Sequence, residues 1–222
     1  MNKFWLTCVS AFGVVVATSA SAQIVVGQTA GFPGAVAATV KETTEGAKLY
    51  INAVNARGGV NGQQIETVSL DDKFDSKLIA VNAPALITEK SAVALFLTRG
   101  ALYNQLIIPV LDELKVPLIG PSLGATLLHT PVKKYALNVG SNYQLGAAKG
   151  SALLGAIGIT NIGLLHVDDT FGADGSSGFT SGFETANLKP VFAGKYDRTK
   201  PDFTRLATEV KCTSPQAVFV IG

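Results

Sequence analysis

Cysteine is scarce in this chain: Cys8 and Cys212 are the only two. Cys8 lies in an N-terminal segment expected to be removed, which leaves one thiol and no internal disulfide. No His or Cys spacing of the metal-binding kind surrounds Cys212. The reading for it is a small apolar residue near a helix end. Charge is sparse as well, at 15% Asp, Glu, Lys and Arg with a formal net charge of +2. That balance lacks the basic footprint of a nucleic-acid binder. One Trp and five Tyr are also few for stacking bases. Gly-x-Ser-x-Gly, His-Glu-x-x-His and the Walker phosphate loop are all missing, and the first strand-turn is not Gly-x-Gly-x-x-Gly. The familiar hydrolase, metalloprotease, nucleotidase and dinucleotide signatures are thereby excluded. No catalytic residue, cofactor or metal is expected.

What is abundant is apolar sequence, 47% of residues, enough for a packed core. Its first stretch has a different meaning. Lys3 precedes an apolar run through Ala17, then Ala20-Ser21-Ala22 supplies the small-x-small pattern of a signal-peptidase site. The run falls short of the roughly 20 residues a spanning helix needs. Cys8 sits too early to carry a lipid. Residues 1–22 are read as a signal peptide cleaved after Ala22, which places the mature chain in the periplasm.

From Gln23 onward apolar runs alternate with helix-length segments. Strands are predicted at 23–29, 65–70, 92–97 and 116–120, with helices at 42–57, 75–90 and 101–114 between them. Gly58-Gly59 stops the first helix. Asp75 reads as an N-cap, its carboxylate taking unpaired amides of the second. Pro109 is expected to kink the third. Several strands are apolar without alternation, the sign of a parallel sheet covered on both faces. Residues 135–141 read as an extended crossover, after which the rhythm restarts. Helices are predicted at 144–157, 172–186 and 202–210, and strands at 161–167, 190–193 and 217–221. This gives two α/β lobes, 23–138 and 139–222. A bare apolar strand before Gly222 suggests a second lobe that is incomplete, a compact natural end being the alternative.

Ligands of open parallel sheets bind outside the carboxyl ends of the strands. That rule selects the loops 29–34, 98–103 and 120–126, rich in Gly, small residues and hydroxyls. Helix starts at the second and third favour an anion. Arg99 is the only charge in the three loops, which suits a small ligand with an acidic group. Arg99 either pairs with that group or is an ordinary exposed loop arginine. In the second lobe Asp168-Asp169-Thr170-Phe171-Gly172 can face the same cleft, with Phe171 as an apolar wall. His166-Val-Asp168 is too isolated to argue for a metal. Asp71-Asp72-Lys-Phe-Asp75 lacks the rest of a calcium loop. His129 reads as a solvated loop residue.

Certain stretches resemble a known family: Asn55-Ala-Arg-Gly-Gly-Val-Asn-Gly62, Val68-Ser-Leu-Asp-Asp72, Pro117-Leu-Ile-Gly-Pro-Ser122, Val167-Asp-Asp-Thr-Phe-Gly172 and the Asp202-Phe203-Thr204 step. Their order and spacing resemble the type I periplasmic solute-binding proteins of ABC transporters, the leucine/isoleucine/valine-binding family, from about residue 24 to the end. The resemblance implies two α/β lobes joined by hinge crossovers and a ligand held between them. It places ligand contacts at Gly100, Ala101, Ser122 and Gly124, with Phe171 at the family's aromatic position. The family's ammonium-binding residues fall past Gly222. Arg99-Gly-Ala-Leu-Tyr103 stands where amino-acid binders carry Ser or Thr, and Phe171 lacks a phenolic hydroxyl. Both departures point away from an aliphatic amino acid and toward other small metabolites. The implied function is non-enzymatic capture of an amino-acid-like or carboxylate solute. Delivery to an inner-membrane ABC permease would follow, by a chain acting as a monomer without nucleic-acid partners. A periplasmic sensor domain feeding a signalling partner is the alternative. An α/β enzyme using Asp168 or His166 is the third class.

Overall fold

A computed structural model describes residues 23–34 and 36–222. The expected signal peptide lies outside the described residues. The chain begins with β1 (Ile24–Ala30), α1 (Ala37–Ala56), β2 (Ile65–Asp71) and α2 (Ser76–Thr88). Next come β3 (Ala94–Phe96), α3 (Ala101–Leu114), β4 (Leu118–Ile119), a 3-10 turn (Thr126–Leu128) and β5 (Ala136–Leu137). It continues with α4 (Tyr143–Ala156), β6 (Ile162–Val167), α5 (Thr170–Glu184), β7 (Phe192–Tyr196), α6 (Thr204–Thr213) and β8 (Ala217–Ile221). The first five strands form a parallel sheet in the order β2-β1-β3-β4-β5, and the last three a parallel sheet β7-β6-β8. Among the described residues no helix is long and apolar enough to cross a membrane.

Most elements lie where the hydrophobic pattern puts them, and the departures have local causes. Helix α1 starts at Ala37, five residues before the predicted start at 42, because its N-cap Val36 offers no capping side chain to mark the start. Helices α2 and α3 run through Pro84 and Pro109. The predicted crossover contains β5, which pairs with β4 and makes the sheet edge. Strand β7 ends at Tyr196, beyond the predicted 193. Coverage of the first sheet is uneven. Leu95 and Leu118 are fully buried, but Ile119 is 42% exposed, so β4 is not covered on both faces as expected.

The first sheet is sealed by Leu95 and Leu118 packing on Ile79, Leu86, Ile107 and Leu111 from α2 and α3. In the second, Ile162 and Leu164 meet Phe179 and Phe183 of α5. Helix α5 presents Gly178 and Gly182 to α4. A Cβ at Gly178 would strike the Gln144 backbone, and one at Gly182 the Ala148 carbonyl. These glycines let the two helix backbones approach closely. They thereby fix both N-termini, where Tyr143 and Phe171 reside.

The carboxyl ends of β1 and β2 are tied by buried polar groups. The buried Asp72 carboxylate accepts the Thr29 hydroxyl at 2.9 Å and the Phe74 amide at 2.8 Å. Asp71 accepts the amides of Phe32 and Lys73 at 3.1 and 2.9 Å. Asp75 caps α2 as predicted, accepting the Lys77 amide at 2.8 Å. These acceptors hold a turn in which Lys73 and Phe74 both adopt left-handed backbone, φ 50° and 57°. Such geometry disfavours side-chain-bearing residues and persists only where the surroundings impose it.

Two predictions follow from this packing. Gly182→Ala should lose about 1–3 kcal/mol by overpacking. Gly146→Ala, at an exposed α4 position with open space around it, should gain about 0.5–1 kcal/mol from helix propensity. Urea unfolding of both variants reads the contrast, and a neutral Gly182→Ala would refute the close approach. The second concerns Asp72. Burial, opposed by the hydrogen bonds from Phe74 and Thr29, pushes its carboxyl above the ordinary range. The folded state therefore binds this proton more readily than the unfolded chain. The resulting penalty is absent below the unfolded value of about 4 and complete above the raised folded value. Asp72→Asn should raise Tm at pH 7, and the gain should shrink as pH falls toward 4. A pH-independent difference would contradict the assignment.

Candidate ligand-binding cleft

Every parallel strand delivers its carboxyl end to one edge of its sheet, and here the two edges face each other. Between them lies a cavity of about 680 Å³. The loops after β1, β2, β3, β4, β6, β7 and β8 all contribute to its lining. Ligand pockets typically fall in this size range.

One wall is the start of α3. Gly100 is its N-cap and supplies no capping side chain, so the amides of the first turn have no partner from the cap. Its φ of 87° suits glycine, and a Cβ there would collide with the Tyr103 ring and crowd Phe74. Ala101, Leu102 and Tyr103 line the cavity beside it. Behind them the buried Thr98 hydroxyl donates to Asn104 Oδ1 at 2.6 Å, and Asn104 Nδ2 donates to the Gly100 carbonyl at 2.8 Å. The loop is thus braced from the core side.

Arg99 reaches across to the loop after β4. Its Nη1 donates to the Ser122 carbonyl at 3.1 Å and lies 3.3 Å from Ser122 Oγ. It is half-buried and lines the cavity. Neither sequence reading anticipated this role as a strut between two loops. Both partners are neutral, so the guanidinium charge has no carboxylate on it among the described residues.

Aromatic rings form the floor. Phe74 and Tyr103 meet edge to face at 4.3 Å between centroids, and the Tyr103 hydroxyl donates to the Phe74 carbonyl at 2.5 Å. Burial first, then the nearby Asp72 carboxylate, push the Tyr103 phenol up. Tyr143 and Phe171 make a second edge-to-face pair at 5.1 Å.

The opposite wall is the end of β6 and the start of α5. Asp169 caps α5, its Oδ1 accepting the amides of Phe171 and Gly172 at 2.9 Å each. Its Oδ2 takes Nε and Nη2 of Arg198 at 3.1 and 2.9 Å. The Arg198 guanidinium lies 5.9 Å from the Phe171 ring centroid. Asp168 pairs with Lys195 at 3.1 Å in an exposed contact. Asp197 is held low by the Thr199 hydroxyl and by the amides of Thr199 and Lys200. His166 is buried with Nδ1 2.9 Å from the Val167 carbonyl, and among the described residues no His, Cys, Asp and Glu cluster could hold a metal.

Of the residues singled out from sequence, Gly100, Ala101, Ser122 and Phe171 line this one cavity. Gly124 does not. It lies in a shallower hollow of about 390 Å³ with Leu97, Val139 and Ser141. Its amide-linked carbonyl accepts the Tyr143 N–H at 2.7 Å, and a Cβ would strike the Ser141 carbonyl. Its smallness serves the close passage of the crossover. Sequence reasoning missed Phe74, Tyr143 and Arg198, and reached Tyr103 only as the last residue of the loop 98–103. Placing the end of β7 at 193 put Arg198 five residues from a strand end. With the strand ending at Tyr196, the carboxyl-end rule would have selected it.

The family described as periplasmic binding protein is matched by residues 23–222. An amino acid binding protein of Pseudomonas aeruginosa is 24% identical over 209 residues, 92% of this chain and 55% of its own length. A possible leucine/isoleucine/valine-binding protein from Rhodopirellula baltica superposes with TM-score 0.84 at 22% identity, over 93% of this chain and 57% of that one. An ABC-transporter solute-binding protein from R. palustris, solved with benzoate, gives TM-score 0.83 at 18% identity, over 90% and 55%. The chain thus spans about half the length of these relatives. At such identities the superpositions speak to the fold, and the family match to the class of molecule. With seven strand ends converging on a cleft, and a family match over residues 23–222, this chain belongs to the periplasmic binding protein family.

Proposed function

We propose that this chain is the solute-capturing part of an ABC importer and that its ligand is a small carboxylate. It is exported by cleavage after Ala22 and works in the periplasm as a monomer. It passes its ligand to an inner-membrane permease. The lobes are residues 23–138 and 139–222, with the cleft between them. Gly100, Ala101, Ser122 and Phe171 are the ligand contacts. Gly124 acts indirectly, by letting the crossover pass close to the Ser122 loop.

The observation that carries the ligand class is Arg99. A half-buried cation whose hydrogen-bond partners are a carbonyl and a hydroxyl leaves positive charge uncompensated inside a cavity. The uncapped first turn of α3 adds its dipole with the same sign. The aromatic floor offers rings to the remainder of the solute. The benzoate bound by the R. palustris protein is of this chemical kind, and so is the carboxylate end of an amino acid.

Calorimetry with benzoate, leucine and the neutral benzamide tests the reading. The acids should bind, and benzamide at least about tenfold more weakly. Arg99→Met should weaken the acids by about ten- to a hundredfold, the range expected for a charge-assisted hydrogen bond of about 1.5–3 kcal/mol. Benzamide binding as tightly as benzoate would refute the carboxylate assignment.

A further inference from the structure

Resting on the reading of the cavity as the ligand cleft, we infer that Arg198 is a specificity-determining residue. Its guanidinium receives a second acceptor group of the solute, on the wall opposite Arg99. The favoured solute therefore bears oxygen acceptors at both ends, as a dicarboxylate or a hydroxy acid does.

The two cations of the cleft are differently employed. Arg99 lies beside the start of α3 and braces the Ser122 loop. Arg198 comes from the loop after β7 and lines the same cavity from the second sheet. Only Nε and Nη2 are used by Asp169, and both go to a single oxygen. The fork geometry of a guanidinium can serve two carboxylate oxygens at once, yet Asp169 cannot offer its other oxygen. Oδ1 is committed to the first amides of α5. The N–H groups on Nη1 have no partner among the described residues.

The group is also held in place before any ligand arrives. Its side chain is 28% exposed and that of Asp169 34%. The guanidinium sits near the Phe171 ring, and Asp169 is fixed by its capping bonds. Little side-chain freedom is left to lose on binding, which favours affinity. The charge is felt across the cavity as well: Arg198 lowers, and Asp169 raises, the proton affinity of Tyr103 on the opposite wall. What sets this pair apart is its place: it lines the cavity beside Phe171, so the donors on Nη1 that any side-on pair leaves over lie next to the ligand space.

The test compares benzoate, with one carboxylate, and terephthalate, with two at opposite ends, by calorimetry. Wild-type protein should bind terephthalate more tightly than benzoate. Arg198→Gln should reduce the terephthalate-to-benzoate affinity ratio by about tenfold or more. Asp169→Asn keeps an oxygen for the α5 cap and removes the competing charge from Arg198, so the same ratio should rise. A purely structural pair predicts no change of ratio in either variant, and that result overturns the inference while leaving the carboxylate reading intact. If wild-type protein binds neither acid, the carboxylate reading fails and this inference with it.

Discussion

Parallel pairing imposes the constraint on which everything else in this molecule depends. Strands that run the same way must bring all their carboxyl ends to one edge, and the loops leaving that edge cannot avoid one another. In the first sheet the order β2-β1-β3-β4-β5 places the reversal of winding between β1 and β3. In the second, β6 is flanked by β7 and β8. With the two edges opposed, residues far apart in sequence, such as Phe74, Ser122, Phe171 and Arg198, become neighbours of one cavity. No local feature of the sequence could assemble them. The sheets do so as a by-product of backbone hydrogen bonding.

Local chemistry then decides what the cavity presents. The turn after β2 shows how much support a single wall residue requires. Phe74 is held in left-handed backbone by the Asp72 carboxylate, and its own carbonyl receives the Tyr103 hydroxyl. Asp72 is in turn anchored to β1 through Thr29. The buried charge is costly, and its hydrogen bonds offset only part of that cost, as the raised proton affinity records. A cleft floor is therefore maintained at some expense to stability, the usual direction of compromise at functional sites.

Legibility in the sequence divided along the same physical line. The helices and strands were readable because apolar periodicity reports which face is buried, and α3 and β8 have the bounds expected from it. Asp75 was readable because capping is a local interaction. Gly100, Ala101, Ser122 and Phe171 were reachable through the carboxyl-end rule and the resemblance to a known family. Gly124 lies in the adjoining hollow and not in the larger cavity, because glycine spacing does not say which side of a loop the chain returns on. The backbone of Ser141 occupies that side. Arg198 was invisible because strand β7 has a glycine at its centre and lysine beside it, which weakens the apolar signal that would have marked its end. Phe74 was hidden by its role in a contact between separate loops, and the ring pairing that gives Tyr103 its place in the selected loop 98–103 was hidden with it.

The distribution of charge between the walls bears on selectivity. Six charged side chains line the cavity: Lys73, Arg99, Arg198, Asp168, Asp169 and Asp197. Asp168 is paired with Lys195 and Asp169 with Arg198 and the α5 amides, whereas Asp197, like Arg99, has only neutral partners, the hydroxyl and amides of its own turn. Arg99 and Lys73 have no carboxylate on them among the described residues, so two unpaired cations stand against the one unpaired carboxylate of Asp197. A cationic solute would meet acceptors already satisfied and a guanidinium that repels it. An anion would meet a charge without a counter-ion and helix amides without a cap. Coulomb energy in a partly desolvated cleft is larger than in water, so on the proposed carboxylate reading this imbalance would discriminate by sign before any contact discriminates by shape. On that reading, selection among anions would come from the second wall, where Phe171 and Arg198 offer an apolar face and a partly used fork of donors side by side.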